Sequence, residues 1–296
     1  MEIAKRVHAL AQEQNDAALM IGAYRALADT LYFLGNFESA RKYAAMGVQI
    51  WRSGSIEFSV EEVTAPVVTC LWLQALCDWQ FGEIAASQAT LAEAITLAQQ
   101  LNDMHGLASA LAYAGMLGSL KRDAAEVDRV ASDLIELSTR HLFAQWLAAG
   151  QIFRGWSRSV TGDPAQGISW IQDGIEGWRA LGTTLSVPFG LALKAEALHL
   201  ADRMSEALEA ITEAEALVAR TEERWWSAEL HRLRGVFLAA SGADDTQIEA
   251  AFRDAIHTAK QQKSVSLATR AEATYAEYSR QKASASEGHG FRLPLA

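Results

Sequence analysis

Apolar and small residues recur at three- and four-residue steps along most of the 296-residue chain, with polar residues between them. The pattern is clear in FESARKYAAMGVQI (37–50), IAASQATLAEAITLAQQL (84–101) and MSEALEAITEAEALVA (204–219). This spacing is typical of a helix that buries one face. Only four prolines occur, and helix-favouring Ala, Leu, Glu, Gln and Arg are frequent. The chain is therefore predicted to be almost entirely helical.

A repeat of 40 residues organises the predicted helices. A small residue lies in the middle of the helix before each turn, at Ala28, Ala75, Gly115, Gly155, Ala195 and Gly235. Seven residues later come the turn residues Gly35, Gly82, Arg122, Gly162, Asp202 and Gly242. Glycine suits the left-handed conformation that ends a helix. Arg122 and Asp202 depart from this pattern, so we expect another kind of turn or some strain there.

The repeats predict an all-α fold. Each repeat is a helix-turn-helix hairpin, and stacked hairpins bury one continuous core in a right-handed superhelical solenoid. We predict a single domain over 1–282, with six helical pairs and a lone helix at each end, and a disordered tail over 283–296. The pairs are expected at 17–52, 64–101, 104–140, 144–181, 185–220 and 224–262, and the lone helices at 1–14 and 264–282. The segment 53–63 is the longest predicted linker.

The repeat unit resembles a tetratricopeptide repeat, most clearly in LADTLYFLGNFESARKYAAMGVQ (27–49). A second resemblance rests on LYFLGNFESAR (31–41), FRGWSRSVTGDPAQGISWIQDGIEGWRALGTTL (153–185), LALKAEALHLADRMSEAL (191–208) and RTEERWWSAELHRLRGVFLA (220–239). Together these segments are similar to the C-terminal helical-repeat region of large bacterial signalling proteins. Proteins of that group carry a class III adenylate/guanylate cyclase domain or a DNA-binding regulatory domain, and then a P-loop ATPase module, before the repeats.

The catalytic parts of that group have no counterpart in this sequence. No G-x-x-x-x-G-K-[ST] phosphate loop occurs, and no strand-rich segment could form a cyclase domain. The resemblance therefore implies the non-catalytic arm of such a regulator, with a cyclase or ATPase module acting as its partner in cis.

Composition and charge narrow the functions further. The formal net charge is −10 and no long basic run occurs, so direct binding of nucleic acid is not expected. No apolar stretch approaches the roughly 18 to 20 residues of a membrane span, and we expect a cytoplasmic protein without membrane contact. Cys70 and Cys77 lie seven residues apart on one predicted helix and are expected to be buried thiols. The seven histidines share no spacing, so no metal, cofactor or enzymatic activity is expected.

The side of the first helices that lines the concave groove in tetratricopeptide repeats carries aromatic and charged residues. Such residues are the usual anchors of peptide binding. The predicted partner-binding groove comprises Arg25, Asp29, Tyr32, Trp72, Trp79, Trp156, Glu196, His199, Glu229 and Arg232. Burial of the three tryptophans is an equal alternative. Trp146 and Trp226 recur two periods apart, so these two are predicted to pack between repeats.

Three functional hypotheses remain open. The first is a non-enzymatic scaffold that binds a protein or peptide segment in the groove, and the second is the regulatory arm described above. The third is a small-ligand sensor with a pocket between Trp72, Trp79 and Trp156. The helix 1–14 looks like the second helix of a repeat, and Ile3, Val7, Leu10 and Ala11 would face a vacant position. An upstream helix, a partner or a second copy of the chain would cover that edge.

Overall fold

The computed structural model describes residues 2–54, 65–284, 291, 293 and 295. These residues form fourteen α-helices and no strand. The helices are α1 (Glu2–Gln14), α2 (Ala17–Phe33), α3 (Phe37–Ser53), α4 (Pro66–Gln80), α5 (Ile84–Gln100), α6 (Met104–Leu120), α7 (Ala124–His141), α8 (Ala144–Val160), α9 (Pro164–Ala180), α10 (Val187–Leu200), α11 (Met204–Thr221), α12 (Ser227–Ala240), α13 (Asp245–Gln261) and α14 (Val265–Ser284). The predicted all-α fold is confirmed.

The helices pack as hairpins in two layers. Each of the six pairs from α2/α3 to α12/α13 is a helix-turn-helix unit, and the first helices of neighbouring hairpins also contact each other. The first helices α4, α6 and α10 are apolar around most of their circumference and are buried on nearly all sides. The second helices, such as α5 and α7, bury one face only. This arrangement is the predicted solenoid of tetratricopeptide-like repeats.

The turns within the hairpins share one backbone conformation. Gly35, Gly82, Gly162 and Gly242 have positive φ angles, as the glycine pattern predicts. Arg122 and Asp202 have φ angles of 60° and 57°, so they adopt the same left-handed conformation without a glycine. Of the two alternatives predicted for these positions, a different turn is wrong and strain in the same turn is confirmed. The repeat geometry imposes the conformation on them at some cost in backbone strain.

Close contact between helices explains the small residues at the centre of the hairpins. A Cβ atom on Gly155 would lie 2.6 Å from the carbonyl oxygen of Gly167 in the partner helix α9. On Gly115 it would meet the ring of Phe153 in the next hairpin at 2.9 Å. Only glycine fits where backbone or ring atoms approach so closely.

The superhelix completes a turn and contacts itself. The backbone N–H groups of Arg224 and Trp225 donate to the carbonyl oxygen of Phe33, at 2.8 and 3.2 Å. Further along the same contact, Ser264 Oγ donates to Gln80 Oε1 at 2.5 Å. Additional bonds run from Lys263 to Glu38, from Ser266 to Trp79 and from Arg270 to Leu120. We call this set the closure contact, because it joins the C-terminal ends of α2, α4 and α6 to the last helices.

The ends of the chain and its linker agree only in part with the expectations. The side chains of Ile3, Val7 and Leu10 on α1 are exposed, whereas Ala11 is buried, so its placement on the open edge is wrong. The predicted linker 53–63 begins at the end of α3, and residues 55–64 lie outside the described residues. Most of the predicted tail 283–296 also lies outside them, and its disorder stays a prediction there. Residues 283 and 284 belong to α14, and Leu293 is buried against the main core.

Candidate functional site

An open chamber of about 520 Å³ lies on the concave side of the solenoid. The first helices α2, α4, α6 and α8 supply its walls, together with the segment before α10. The lining residues are Gly22, Arg25, Asp29, Pro66, Thr69, Trp72, His105, Ser109, Tyr113, Gln145, Trp146 and Leu185. The volume falls within the roughly 300 to 1,000 Å³ of ligand-binding pockets in proteins.

Two aromatic pairs stiffen the walls of the chamber. The rings of Trp72 and Tyr113 stack with centroids 3.7 Å apart and planes 17° from parallel. On the adjoining wall, Trp146 Nε1 donates to His105 Nε2 at 3.0 Å. Burial lowers the pKa of His105, although Asp103 acts against the shift. A neutral imidazole is what this hydrogen bond requires, because the imidazolium ion has no acceptor nitrogen.

Opposite charges also face the chamber. Arg25 and Asp29 lie one turn apart on α2, and both line the wall. Burial raises the pKa of Asp29 to about 6, while the positive charge of Arg25 opposes the shift. The chamber therefore offers a guanidinium for a carboxylate and a carboxylate for an ammonium group.

A charged and aromatic network lies outside the chamber, around Trp156 and Glu196. Arg122 donates to Glu196 Oε2 at 2.5 Å, and Trp156 Nε1 donates to the same oxygen at 3.1 Å. The guanidinium of Arg122 also lies over the Trp156 ring, 5.0 Å from its centroid. Glu196 and Trp156 are buried, so this network holds α8 and α10 to the turn after α6.

A second buried network joins α12 to α14. The guanidinium of Arg232 donates through Nε and Nη2 to both oxygens of Glu229, at 2.9 and 2.7 Å. Arg270 donates to Glu229 Oε1 at 3.1 Å, and its guanidinium lies over the ring of Trp79. Burial acts to raise the pKa of Glu229, but Arg232 and Arg270 outweigh it and hold the pKa at about 2. The carboxylate is therefore charged at neutral pH.

The remaining predicted groove residues lie in aromatic contacts. Tyr32 is fully buried, with its ring 5.7 Å from that of Trp225 across the closure contact. Half-buried His199 packs on Phe237 at 5.3 Å, and burial lowers its pKa. Neither side chain lines the chamber.

The ten predicted groove residues thus divide into two groups. Arg25, Asp29 and Trp72 line the chamber. The other seven do not line it: Tyr32, Trp79, Trp156, Glu196, His199, Glu229 and Arg232. His199 is half-buried and the other six are buried. Trp72, Trp79 and Trp156 are all buried, as the alternative prediction for the three tryptophans had it. The pocket hypothesised between Trp72, Trp79 and Trp156 does not match the chamber, because only Trp72 lines it.

The sequence reading missed the chamber walls that α6 and α8 supply. His105, Gln145 and Leu185 are separated by 40 residues each time, so the same repeat contains the signal that would have found them. Trp146 packs against His105 of the preceding hairpin, as predicted, and it also lines the chamber. Trp226 packs between repeats as well, 5.3 Å from the ring of Phe189.

The described residues contain neither a cluster that could hold a metal ion nor a helix that could span a membrane. Within residues 2–54 and 65–284, no three His, Cys, Asp or Glu side chains cluster as a metal ion would require. No helix in the described part of the chain is both long and apolar enough to cross a membrane. Cys70 and Cys77 are buried free thiols, and burial raises the pKa of Cys70 to about 12.

The fold and the concave chamber define a helical-repeat protein of the tetratricopeptide-like class. No known family's sequence profile matches the chain. An uncharacterized protein of Rhizobium meliloti is 27% identical over 197 residues, which is 67% of this chain and 19% of that protein. The aligned part is thus about a fifth of the length of that curated relative.

Solved structures with a similar fold include complexes with peptides. The Rap conjugation gene regulator of plasmid pLS20, in complex with the Phr* peptide, has a TM-score of 0.64 at 10% identity over 94% of this chain and 79% of its own. A Rap protein complexed with competence and sporulation factor has a TM-score of 0.59 at 11% identity, with 91% and 77% covered. Bacillus thuringiensis PlcR, in complex with the peptide PapR7 and DNA, has a TM-score of 0.53 at 13% identity, with 79% and 83% covered. At such identities the likeness is one of fold.

Proposed function

We propose that this protein is a non-enzymatic scaffold that binds a short peptide segment in the concave chamber. The observation that carries the proposal is the chamber itself, with aromatic pairs contributed by successive hairpins and opposite charges on α2. Two structures of the same fold, the Rap conjugation gene regulator and PlcR, contain bound peptides, which supports a ligand of this kind.

The walls of the chamber suit a peptide physically. Stacked hairpins hold the side chains in place before binding, so little conformational entropy is lost when the ligand enters. The half-buried ring of Trp146 provides apolar contact area, the stacked Trp72 and Tyr113 close another wall, and Arg25 and Asp29 provide anchors for charged groups. We therefore expect a ligand with an apolar or aromatic side chain and at least one charged group, either a side chain or a terminus.

The experiment is a screen of a synthetic peptide array of random 5- to 10-residue sequences, followed by calorimetric titration of the hits. We expect Trp146→Ala and Arg25→Gln each to weaken binding at least tenfold, about 1.4 kcal/mol, because they remove wall contacts. Trp170 lies half-buried on the outer helix α9, so Trp170→Ala is the matched control and should bind as wild type does. Hits that bind equally to all four proteins, or an array without hits, would contradict the proposal.

A second candidate function is a regulatory arm of a longer protein. It is favoured by the length of the Rhizobium meliloti relative, of which the aligned part is only 19%. The exposed Ile3, Val7 and Leu10 also leave an edge on which an upstream helix or a second copy of the chain could pack. The resemblance to cyclase and ATPase-type regulators stays a prediction. An immunoblot of the source cells distinguishes the cases, because a band near 32 kDa indicates a free-standing scaffold and a band several times larger indicates an arm.

A further inference from the structure

The C-terminal residues of the chain return to its last helices. Phe291, Leu293 and Leu295 all belong to or pack against the main core, although the last helix ends at Ser284. Leu293 is buried, with 8% of its surface exposed. These three positions are alternate residues of the sequence FRLPLA.

One anchor of this segment is aromatic. The ring of Phe291 lies 4.8 Å from that of Tyr278 on α14. Tyr278 in turn contacts Phe252 on α13 and Tyr275 on α14, with centroids 5.7 and 6.4 Å apart. Its hydroxyl donates to Asp245 at 2.5 Å, which fixes the ring. Phe291 therefore extends an aromatic cluster that α13 and α14 already hold in place.

The other anchor is a hydrogen bond to the main chain. Arg232 Nη2 donates to the carbonyl oxygen of Leu295 at 2.8 Å. The guanidinium is held by Glu229 on α12 and donates through Nη1 to Thr274 Oγ1 on α14 at 3.2 Å. A bond to a backbone carbonyl reads no particular side chain, so any segment with the same backbone path can accept it.

We propose that α12, α13 and α14 form a second peptide-binding surface, separate from the chamber, whose resident occupant is the chain's own C-terminal segment. The ligand class is a segment with apolar residues at alternate positions, the first of them aromatic, and with a free backbone carbonyl for Arg232. The segment is joined to α14 through only six residues, 285–290, which gives it a millimolar effective concentration at the surface. A segment from another protein must overcome that advantage to bind.

The test uses the full chain and a fluorescein-labelled FRLPLA peptide, with binding followed by fluorescence anisotropy. The double variant Phe291→Ser/Leu293→Ser weakens the occupant and leaves the surface intact. We expect it to bind the peptide at least tenfold more tightly than wild type does. A labelled SRSPSA peptide, which lacks the apolar residues, should not bind either protein.

Two controls locate the binding. Leu142 is 88% exposed at the end of α7, so Leu142→Ser repeats the chemical change away from the surface and should bind as wild type does. Trp146→Ala, added to the double variant, changes the chamber and should leave the affinity for FRLPLA unchanged. Equal binding by wild type and the double variant, or loss of binding with Trp146→Ala, would overturn the proposal.

Hydrogen exchange of the wild-type chain provides a second measurement that does not depend on a variant. An excess of unlabelled FRLPLA should increase exchange in the protein's own residues 291–296, because the free peptide displaces them from the surface. SRSPSA should have no such effect. Exchange that is the same with both peptides would contradict a displaceable occupant.

Discussion

At the scale of the residue, the partners of a buried carboxylate decide its charge. Glu229 faces the guanidiniums of Arg232 and Arg270, and its pKa is about 2. Glu223 is also buried, but it faces only neutral donors, the indole N–H of Trp225 and the backbone N–H of Ser186. Burial raises its pKa to about 7, although these hydrogen bonds act against the shift. Hydrogen bonds alone do not replace the hydration that a buried charge loses.

The raised pKa of Glu223 makes stability depend on pH. The folded-state pKa of Glu223 exceeds the ordinary value of 4.5. The stability that its protonation contributes is therefore fully present below pH 4.5 and is lost as the pH rises through 7. Between pH 5 and 8, we expect the unfolding free energy of wild type to fall by about 2 kcal/mol more than that of Glu223→Gln. Urea unfolding at several pH values measures this difference. Parallel pH curves for the two proteins would contradict the assignment.

A second prediction at this scale concerns the close approach of α8 and α9. Gly155→Ala would place a Cβ atom 2.6 Å from a backbone oxygen, so the helices must move apart. We expect a loss of about 2–3 kcal/mol in unfolding free energy. A Cβ atom on Gly22 would have no atom from outside its own helix within 4 Å, so Gly22→Ala should stabilise α2 by about 0.5–1 kcal/mol. Chemical denaturation of both variants provides the measurement, and similar effects in both would be inconsistent with the packing.

At the scale of the element, carboxylates tie neighbouring hairpins together. Asp103 caps α6 by accepting from the N–H of Gly106 at 2.7 Å, and its second oxygen accepts from the N–H of Ala65 at 2.8 Å. Glu223 makes an equivalent bond to Ser186. Each carboxylate precedes the first helix of one hairpin and binds a backbone N–H near the start of the first helix in the hairpin before it. The stack is therefore fixed by hydrogen bonds as well as by apolar contacts.

A comparison of Asp103 with Asp123 distinguishes the capping bond from the bond between hairpins. Asp123 caps α7 alone, accepting from the N–H of Glu126 at 3.0 Å. We expect Asp123→Ala to cost about 1 kcal/mol, as for a lost N-cap. Asp103→Ala should cost about 1 kcal/mol more, because the N–H of Ala65 also loses its acceptor. Equal losses in denaturation experiments would mean that the bond between hairpins contributes nothing.

At the scale of the whole molecule, the closure contact joins residues that are far apart in the sequence. Solenoids usually unfold piecewise, since each repeat contacts only its neighbours. Here Trp225 is fully buried between the rings of Tyr32 and Phe33 in the first hairpin and the ring of Phe189 in the fifth. This contact couples the first hairpin to the last helices, so we expect the described chain to unfold more cooperatively than an open solenoid does.

Trp225→Leu tests this coupling. We expect it to destabilise the protein by about 2–4 kcal/mol and to separate the unfolding of α2 and α3 from that of the remaining helices. Trp170→Leu, on the half-buried outer surface, should cost about 1 kcal/mol or less and leave a single transition. Hydrogen exchange resolved by segment distinguishes these outcomes. A single transition in both variants would rule out a coupling role for the closure contact.

Sequence reasoning identified the helices and the glycine turns, but not the backbone conformation at the ends of the outer helices. The glycine turns follow from the local chemistry of the backbone. A second series of left-handed residues ends the outer helices at Asn102, Leu142, Gly182 and Glu222, again 40 residues apart. Glycine and asparagine favour this conformation, but Leu142 and Glu222 do not, so local propensity gives no signal at these two positions.

The sequence by itself determined the helical hairpins, their 40-residue period and the inward face of the first helices. These features follow from apolar and small residues that recur at fixed intervals along the chain. The tertiary structure decided which inward residues remain open to a ligand. Trp72, Trp79 and Trp156 are all buried, with 4%, 5% and 0% of their surfaces exposed, whereas Arg25, Asp29 and Trp146 stay partly exposed in the chamber. That difference depends on the pitch at which the superhelix meets itself. The pitch is the sum of small rotations over many repeats, and no single segment of sequence encodes it.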